Sequence, residues 1–180
     1  MAGSTQSPSG WSVIRLDNEA QIAEQIEQLD PSDMVGWTRR FPEALRDAIT
    51  RDIGIEADQD WSGVLFLGVG GSGAGGMMLG NMADHAGGLP FVSWKDYGLP
   101  SWWGPDWLII ATSYSGNTEE TLTGVREALE GGGTVIGISS GGTLQSILES
   151  HDGAMWIDVP AGQPPRSAVG HIFGSQVTLC

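Results

Sequence analysis

Two short apolar runs in this 180-residue chain are each followed by a turn of small residues and then by a helical pattern. The first run, 64–67, leads into a glycine-rich turn over 68–73, and the second, 107–111, leads into a hydroxyl-rich turn over 113–118. Because the carboxyl ends of parallel strands lie at one edge of a sheet, both turns are expected to face the same crevice. Backbone N–H groups and helix dipoles make such a crevice a binding site for anions.

The remaining apolar segments extend this pattern to a doubly wound parallel sheet of five strands. Strands are predicted at about 63–69, 90–94, 107–112, 134–139 and 154–159. Helices are predicted between most of them, at about 73–84, 118–130 and 142–150. Asn117 and Glu120 form a capping-box-like pair that is expected to start the second of these helices. Three methionines behind the glycine-rich turn are expected to fill the core: Met77, Met78 and Met82.

The residues ahead of the first strand are predicted to be mostly helical. Residues 1–15 are expected to be a flexible end, and residues 16–180 a single domain that begins with helices over 18–53. Asp17 is predicted to cap the first of these helices. Two prolines are expected in the first turns of two further helices: Pro31 and Pro42.

The charge and the cysteine content exclude several classes of function. The net charge is −14, which makes nucleic acid an improbable partner because its backbone is bound by clustered Lys and Arg. Cys180 is the single cysteine, so an internal disulfide is excluded and a cysteine-based zinc site is not expected. No apolar run approaches the length of a membrane span and no signal peptide is visible, so the expected compartment is the cytoplasm. Lys95 is the one lysine, so a phosphate must be held mainly by amides and hydroxyls.

The glycine-rich turn also matches a dinucleotide-binding pattern. Gly68, Gly70 and Gly73 have the required spacing, but the fingerprint needs an acidic residue at the end of the second strand. Asp96 is the nearest candidate and comes late. A dinucleotide-binding oxidoreductase therefore stays open as an alternative.

Four motifs resemble one known family. Gly-Gly-Ser at 70–72 and Ser-Tyr-Ser-Gly-Asn-Thr-Glu-Glu-Thr at 113–121 together resemble a sugar isomerase (SIS) domain. Asp-Tyr-Gly-Leu-Pro at 96–100 and Pro-Ala-Gly-Gln-Pro-Pro-Arg-Ser-Ala at 160–168 narrow the resemblance to the bifunctional phosphoglucose/phosphomannose isomerases. The resemblance implies a three-layer αβα sandwich of the flavodoxin-like or Rossmann-like type. It also implies a cytoplasmic homodimer that binds a sugar phosphate. No metal or cofactor is expected, because no histidine is grouped with carboxylates at metal-ligand spacing in the sequence.

The resemblance also implies roles for individual residues. It places the phosphate of the substrate at four hydroxyl residues: Ser72, Ser113, Ser115 and Thr118. Backbone passes close to the sugar at Gly70 and Gly71, and Arg166 lies beside the oxygens that form the enediol. A fixed cation beside a developing oxyanion lowers the barrier to aldose–ketose isomerisation, which moves a proton between C1 and C2.

The family's proteins carry two such domains, and this chain resembles the first. A proton-shuttling glutamate, a ring-opening histidine and a further lysine would lie in the second domain, beyond Cys180. A helical stripe that begins near Ser167 continues to Cys180 without a glycine cap, so the chain is expected to be truncated inside a helix. Loss of a general base costs about 10²–10⁴-fold in rate, so the isolated chain is expected to isomerise glucose 6-phosphate hardly at all.

Two interpretations from different classes remain open beside the dinucleotide-binding alternative. The first is the sugar-phosphate-binding half of an isomerase for glucose 6-phosphate, with mannose 6-phosphate as a candidate second substrate. The second is a non-catalytic SIS module that binds a sugar phosphate without chemistry.

Overall fold

The structure is a computed structural model that describes residues 19–54 and 60–180. A short 3-10 helix at Pro165–Ser167 precedes the last α-helix. The other elements are, in chain order, α1 (Glu19–Leu29), α2 (Met34–Thr50), β1 (Gly63–Leu67), α3 (Gly71–Ala86), β2 (Phe91–Trp94), β3 (Trp107–Thr112), α4 (Glu119–Glu130), β4 (Val135–Ser139), α5 (Gly142–Glu149), β5 (Ala154–Asp158) and α6 (Val169–Thr178). The flexible end predicted over 1–15 and the cap predicted at Asp17 lie outside the described residues. Within the described ranges, no helix has both the length and the apolar composition needed to cross a bilayer.

The described residues divide into two compact units, one that ends at Gly36 and one that begins at Trp37. In the first unit, the carboxylate of Asp30 accepts hydrogen bonds from the N–H groups of Met34 and Val35, each at 2.7 Å. These bonds satisfy two of the free donors at the start of α2. The second unit contains the sheet and the helices from α3 onward.

The prediction that Pro42 begins a separate helix is wrong, because Pro42 lies inside α2. Proline has no N–H to continue a helix, yet packing can outweigh this cost. The later part of α2 lies against α6, where a Cβ at Gly170 would come within 3.1 Å of the Cβ of Ala44. The hydroxyl of Thr178 on α6 also donates to the carbonyl of Ala48 at 3.2 Å. This close contact keeps α2 continuous through the proline.

The five strands form one parallel sheet in the order β2-β1-β3-β4-β5. The predicted strands and the doubly wound topology are confirmed. The order reverses between β1 and β3, because the chain leaves β1 toward β2 on one side and enters β3 on the other. A reversal of this kind opens a crevice at the carboxyl edge of the sheet, and ligands of such folds bind there.

Helices cover both faces of the sheet and confirm the three-layer arrangement. One apolar cluster joins α3 and α6 to the first face of the sheet through Leu79, Ile172, Phe66 and Ile110, among others. The other cluster joins α4 and α5 to the second face, and it includes Leu122, Val125, Leu144, Leu148, Leu65 and Ile109. The glycine-rich turn and the hydroxyl-rich turn therefore lead into helices on opposite faces of the sheet.

Besides the buried side chain of Leu79, the helix α3 packs on the sheet through glycines. A Cβ at Gly76 would lie 2.5 Å from the Cβ of Phe66, and one at Gly80 would lie 3.0 Å from the carbonyl oxygen of Phe91. The helix backbone therefore sits against the sheet, and its methionines are turned outward. The expectation that three methionines fill the core is wrong: Met77, Met78 and Met82 are 46%, 49% and 63% exposed.

Candidate functional site

The glycine-rich turn and the hydroxyl-rich turn lie side by side at the carboxyl edge of the sheet. They follow β1 and β3, which are neighbours with Leu67 paired to Ala111. A Cβ at Gly68 would lie 3.1 Å from the carbonyl oxygen of Thr112, so the two chain segments touch as they leave the sheet. The crevice at the topological reversal is thus bordered by the starts of α3 and α4.

The glycine-rich turn presents open backbone at the start of α3. Gly70 has φ 60° and ψ −128°, a conformation that residues with a side chain rarely adopt. Among the described residues, no side chain caps α3. A Cβ at Gly70 or at Gly71 would meet nothing within 4 Å, so there is open space directly over this backbone. Free N–H groups beside open space at a helix N-terminus suit an anion.

The hydroxyl-rich turn is held together by its own hydrogen bonds. Ser113 is buried, and its hydroxyl lies 2.8 Å from the hydroxyl of Thr118 and accepts from the N–H of Thr118 at 3.3 Å. Ser115 is exposed, and its hydroxyl accepts from the N–H of Asn117 at 3.3 Å. Only one of the two hydroxyl hydrogens is used between Ser113 and Thr118, and that of Ser115 has no acceptor among the described residues. The turn therefore keeps hydroxyl donors available in fixed positions.

Ser72 supplies one more hydroxyl at the start of α3. It is partly exposed, and its hydroxyl makes no hydrogen bond within the described part of the chain. The structure thus brings Ser72 and the hydroxyl-rich turn to the same edge of the sheet, as residues on adjacent strand ends.

The prediction that Asn117 caps α4 is wrong. The helix begins at Glu119, and the side-chain oxygen of Asn117 accepts from the N–H and the hydroxyl of Thr143 at 3.0 and 2.8 Å. The side-chain amide of Asn117 also donates to the carbonyl of Ser115 at 3.0 Å. Asn117 therefore ties the hydroxyl-rich turn to the start of α5, which the local pattern of the sequence did not indicate.

Arg166 lies in the short helix between β5 and α6. Its side chain is exposed, and it forms no ion pair with any described residue. The segment ahead of it is fixed to the hydroxyl-rich turn, because the hydroxyl of Tyr114 donates to the carbonyl of Pro160 at 3.1 Å and accepts from the N–H of Gln163 at 3.2 Å. The arginine segment is thus anchored at the same edge of the sheet.

Lys95 was not predicted as a site residue, yet it lies beside the glycine-rich turn. It follows β2 directly, and its Cε is 3.7 Å from the position of a Cβ at Gly73. Its ammonium group lies 2.7 Å from the sulfur of Met77 on the same helix as Gly73. The sequence feature that could have indicated this role is the position of Lys95 directly after β2, the strand beside β1. The chain's single lysine therefore adds positive charge near the start of α3.

A separate cavity of about 120 Å³ lies between α2 and α6 and is lined in part by Trp37, Asp47, Gln163 and His171. Burial lowers the pKa of His171, and the nearby carboxylate of Asp47 offsets part of this shift. A neutral imidazole is thereby favoured in the folded protein.

Comparison with solved structures identifies the class of fold. The chain aligns with tagatose-6-phosphate ketose/aldose isomerase from Escherichia coli at a TM-score of 0.57 and 20% identity, over 79% of this chain and 43% of that one. It aligns with a ligand-bound protein of E. coli CFT073 at a TM-score of 0.62 and 20% identity, over 90% of each chain. The Vibrio vulnificus NanR protein complexed with ManNAc-6P matches at a TM-score of 0.58 and 17% identity, over 89% of this chain and 66% of that one. The fold is that of the phosphosugar isomerase (SIS) class.

Comparison of sequences identifies the family. The bifunctional phosphoglucose/phosphomannose isomerase of Caldicellulosiruptor bescii is 37% identical over 136 residues, which is 74% of this chain and 40% of that protein. The enzyme of the same name from Thermoplasma acidophilum is 38% identical over 112 residues, 62% of this chain and 34% of that protein. The resemblance to the bifunctional phosphoglucose/phosphomannose isomerases is thereby confirmed for the aligned part of the chain.

The comparisons also set limits on the likeness. D-glucosamine-6-phosphate 4-epimerase of Sulfolobus acidocaldarius is 37% identical over 136 residues, 74% of this chain and 42% of that protein. The chain thus spans about two fifths of the length of the curated relatives that it matches. No protein-family model matches the chain.

Proposed function

We propose that this chain is the sugar-phosphate-binding half of an aldose–ketose isomerase. Its substrates are glucose 6-phosphate and fructose 6-phosphate, with mannose 6-phosphate as a second aldose, and the reaction passes through an enediolate. The observation that carries the proposal is the pair of open, donor-rich turns on adjacent strand ends. The isomerase names of the relatives, at 33–38% identity, give the reaction class.

In this proposal the two turns hold the phosphate group. Amide groups at Gly70 and Gly71 and the hydroxyl of Ser72 approach from α3, and the serine and threonine hydroxyls of the second turn approach from α4. A doubly charged phosphate gains charge-assisted hydrogen bonds from each of these donors. The helix dipoles of α3 and α4 add to this attraction.

Arg166 acts on the sugar end of the substrate. The guanidinium stays charged at any physiological pH and offers a planar fork of donors, which suits two neighbouring oxygens on C1 and C2. Negative charge grows on these oxygens as the proton leaves carbon, so a cation held there stabilises the transition state more than the ground state. The absence of an ion-pair partner for Arg166 in the described chain leaves its charge available.

The rest of the machinery is proposed to lie in a second SIS domain, because this chain matches only about two fifths of the length of its relatives. That domain would supply the base that moves the proton. The full protein is proposed to be a homodimer, and the isolated chain to have little or no isomerase activity.

A non-catalytic sugar-phosphate-binding module is the second candidate, and one comparison favours it. Two relatives with equal identity to this chain, 37%, carry different reaction names, an isomerase and a 4-epimerase. Both names specify a phosphorylated hexose. The stretch that all three share is therefore suited to binding such a sugar, and the reaction would be decided elsewhere.

Binding is tested first on the chain itself. Titration calorimetry is expected to show fructose 6-phosphate and inorganic phosphate bound at one competing site, and NADH not bound. Binding of NADH in place of the sugar phosphate would support the dinucleotide alternative and contradict the proposal. Ser72→Ala is expected to weaken the binding of fructose 6-phosphate and of inorganic phosphate. The matched control is Ser146→Ala, at an exposed position on α5.

Catalysis is tested on a fusion of this chain with the remaining part of the C. bescii enzyme. A coupled assay is expected to detect isomerisation by the fusion and hardly any by the chain alone. Arg166→Ala in the fusion is expected to lower kcat by about 10²-fold or more, the typical scale for losing an oxyanion donor. Arg126→Ala, which removes an exposed arginine of α4, is the control. A fusion that binds the sugar phosphate but turns nothing over would favour the non-catalytic module.

A further inference from the structure

Tyr114 separates the two serines of the hydroxyl-rich turn, and its side chain binds a different part of the chain. The ring is 9% exposed and packs in the core near Ile138 and Val159. Its hydroxyl donates to the carbonyl of Pro160 at 3.1 Å and accepts from the N–H of Gln163 at 3.2 Å. Gln163 itself is buried. The single hydroxyl hydrogen of Tyr114 is therefore committed to this segment.

The two partners of the hydroxyl are three residues apart, which is the spacing of the first and fourth residues of a β-turn. In an ordinary β-turn the carbonyl of residue i accepts directly from the N–H of residue i+3. Here the hydroxyl of Tyr114 stands between Pro160 and Gln163 and bonds to both. Gly162, with φ 85°, supplies the left-handed conformation that such a turn needs at its third residue. The side-chain amide of Gln163 also donates to the carbonyl of Pro160, at 3.4 Å, so Tyr114 of the neighbouring loop and Gln163 together hold this turn.

The turn leads directly into the segment that carries Arg166. Pro164 and Pro165 restrict the backbone between the turn and the short helix. The hydroxyl of Ser167 donates to the carbonyl of Pro164 at 2.7 Å and closes that helix. Because the backbone between Gln163 and Arg166 has little conformational freedom, the position of Gln163 determines the region that the guanidinium of Arg166 can reach.

We propose that Tyr114 is a positioning residue that sets Arg166 relative to the phosphate-binding turn. The inference rests on the proposed function, since it assumes that Ser113 and Ser115 hold phosphate and that Arg166 meets the sugar. One tripeptide then carries both the phosphate donors and the anchor of the arginine segment. The hydrogen bonds of Tyr114 thereby fix the distance between the phosphate-binding turn and Arg166, and this distance matches that between the phosphate and the C1–C2 end of the substrate.

The first test uses the full chain without any ligand. Tyr114→Phe removes only the hydroxyl and keeps the ring in the core. Hydrogen exchange of the Gln163 amide, measured by NMR, is expected to become about three- to tenfold faster, the effect of losing one ordinary hydrogen bond. The amides of Ile109 and Ile110 in the central strand serve as the internal standard for folding. Tyr97→Phe, at a 59% exposed tyrosine, is the matched control and is expected to change nothing.

A measurement on the wild-type protein makes this test independent of any variant. The hydroxyl proton of Tyr114 is expected to exchange with water more slowly than that of Tyr97. Equally fast exchange of the two hydroxyl protons, or an unchanged Gln163 amide in Tyr114→Phe, would overturn the inference.

The second test distinguishes positioning from general support of the fold. Tyr114→Phe is expected to leave the Kd for inorganic phosphate unchanged. Arg166→Ala is expected to raise the Kd for fructose 6-phosphate about tenfold in the wild-type background. In the Tyr114→Phe background the increase is expected to be less than about threefold, because a mispositioned arginine contributes less to binding. Equal losses in both backgrounds would refute the coupling. If the wild-type chain binds no fructose 6-phosphate, the proposed function fails, and the exchange measurements still decide whether Tyr114 holds the arginine segment.

Discussion

Two glycines of α3 allow phosphate binding and folding to be perturbed separately. Gly71 is the exposed first residue of the helix, and a Cβ there would meet nothing within 4 Å. Gly71→Ala is therefore expected to raise the unfolding free energy slightly, by about 0.4–1 kcal/mol, because alanine restricts the unfolded chain. For a chain of this size the melting temperature would rise by roughly 1–4 °C. The same methyl group would occupy the space over the free N–H groups, where the phosphate is proposed to lie.

The loss of affinity follows from the hydrogen bonds displaced. A hydrogen bond to a charged group contributes about 1.5–3 kcal/mol. Calorimetry with inorganic phosphate and with fructose 6-phosphate is therefore expected to show Kd values at least about tenfold higher for Gly71→Ala. A variant that is slightly more stable yet binds less tightly cannot be explained by damage to the fold. An unchanged Kd would show that the ligand does not approach this backbone, and the proposed phosphate site would be refuted.

Gly76→Ala is the matched control and is expected to behave in the opposite way. Its Cβ would lie 2.5 Å from the Cβ of Phe66, an atom that no rotamer change can move. Overpacking of this kind costs about 1–3 kcal/mol, which corresponds to a melting temperature lower by roughly 2–12 °C. The phosphate Kd of the folded protein is expected to stay near the wild-type value, because Gly76 lies more than a turn from the helix start.

Three further changes test the polar groups around the crevice and the cavity beside α2. Ser113→Ala leaves the N–H of Thr118 without its acceptor, so urea denaturation is expected to show an unfolding free energy lower by about 1–3 kcal/mol. Calorimetry is expected to show a higher Kd for phosphate. An unchanged unfolding free energy would contradict the described hydrogen bonds of the turn. Lys95→Met is expected to raise the phosphate Kd about two- to fivefold, as for a pair near the surface, whereas Arg126→Met is not; equal effects would remove Lys95 from the site. Since burial lowers the pKa of His171, the unfolded chain binds its proton more readily, and the unfolding free energy is expected to fall as the pH drops below about 6.5. His171→Gln should reduce this fall in urea titrations between pH 8 and 5.5 (values chosen to bracket the ordinary histidine pKa), and an identical pH profile would show that another group is responsible.

The sheet and the two turns at its carboxyl edge could be predicted because they depend on local patterns. An apolar run followed by small residues and a helical stripe specifies a strand, a turn and a helix without knowledge of the partners. Parallel strands then bring both turns to one edge of the sheet, whereas the strand order was not predicted from the sequence. Gly70 and Gly71 were placed at the crevice for the same reason.

The incorrect predictions concern residues whose partners are distant in the sequence. The methionines of α3 were expected in the core because methionine fills irregular gaps, but the glycines of that helix lie against Phe66 and Phe91 and leave no room for them. Asn117 has the sequence of a helix cap, yet its partner is Thr143. Tyr114 bonds to a segment 46–49 residues away, which no local pattern predicts. In each of these cases, contacts between segments that are distant in the sequence but close in space determine where the side chain lies.

The acidity of the chain and its proposed ligand are compatible because they act over different distances. With a net charge of −14, the long-range field of the protein repels a phosphate. That repulsion is largely screened beyond about 8 Å at physiological ionic strength, whereas hydrogen bonds to amides and hydroxyls act at contact. The hydroxyl of Ser115 and the pair formed by Ser113 and Thr118 are already held by bonds within their turn, so little reorganisation is needed when an anion binds. Donors of this kind select a phosphate by the geometry of its oxygens rather than by charge alone, and a single lysine at the rim is then sufficient positive charge for such a site.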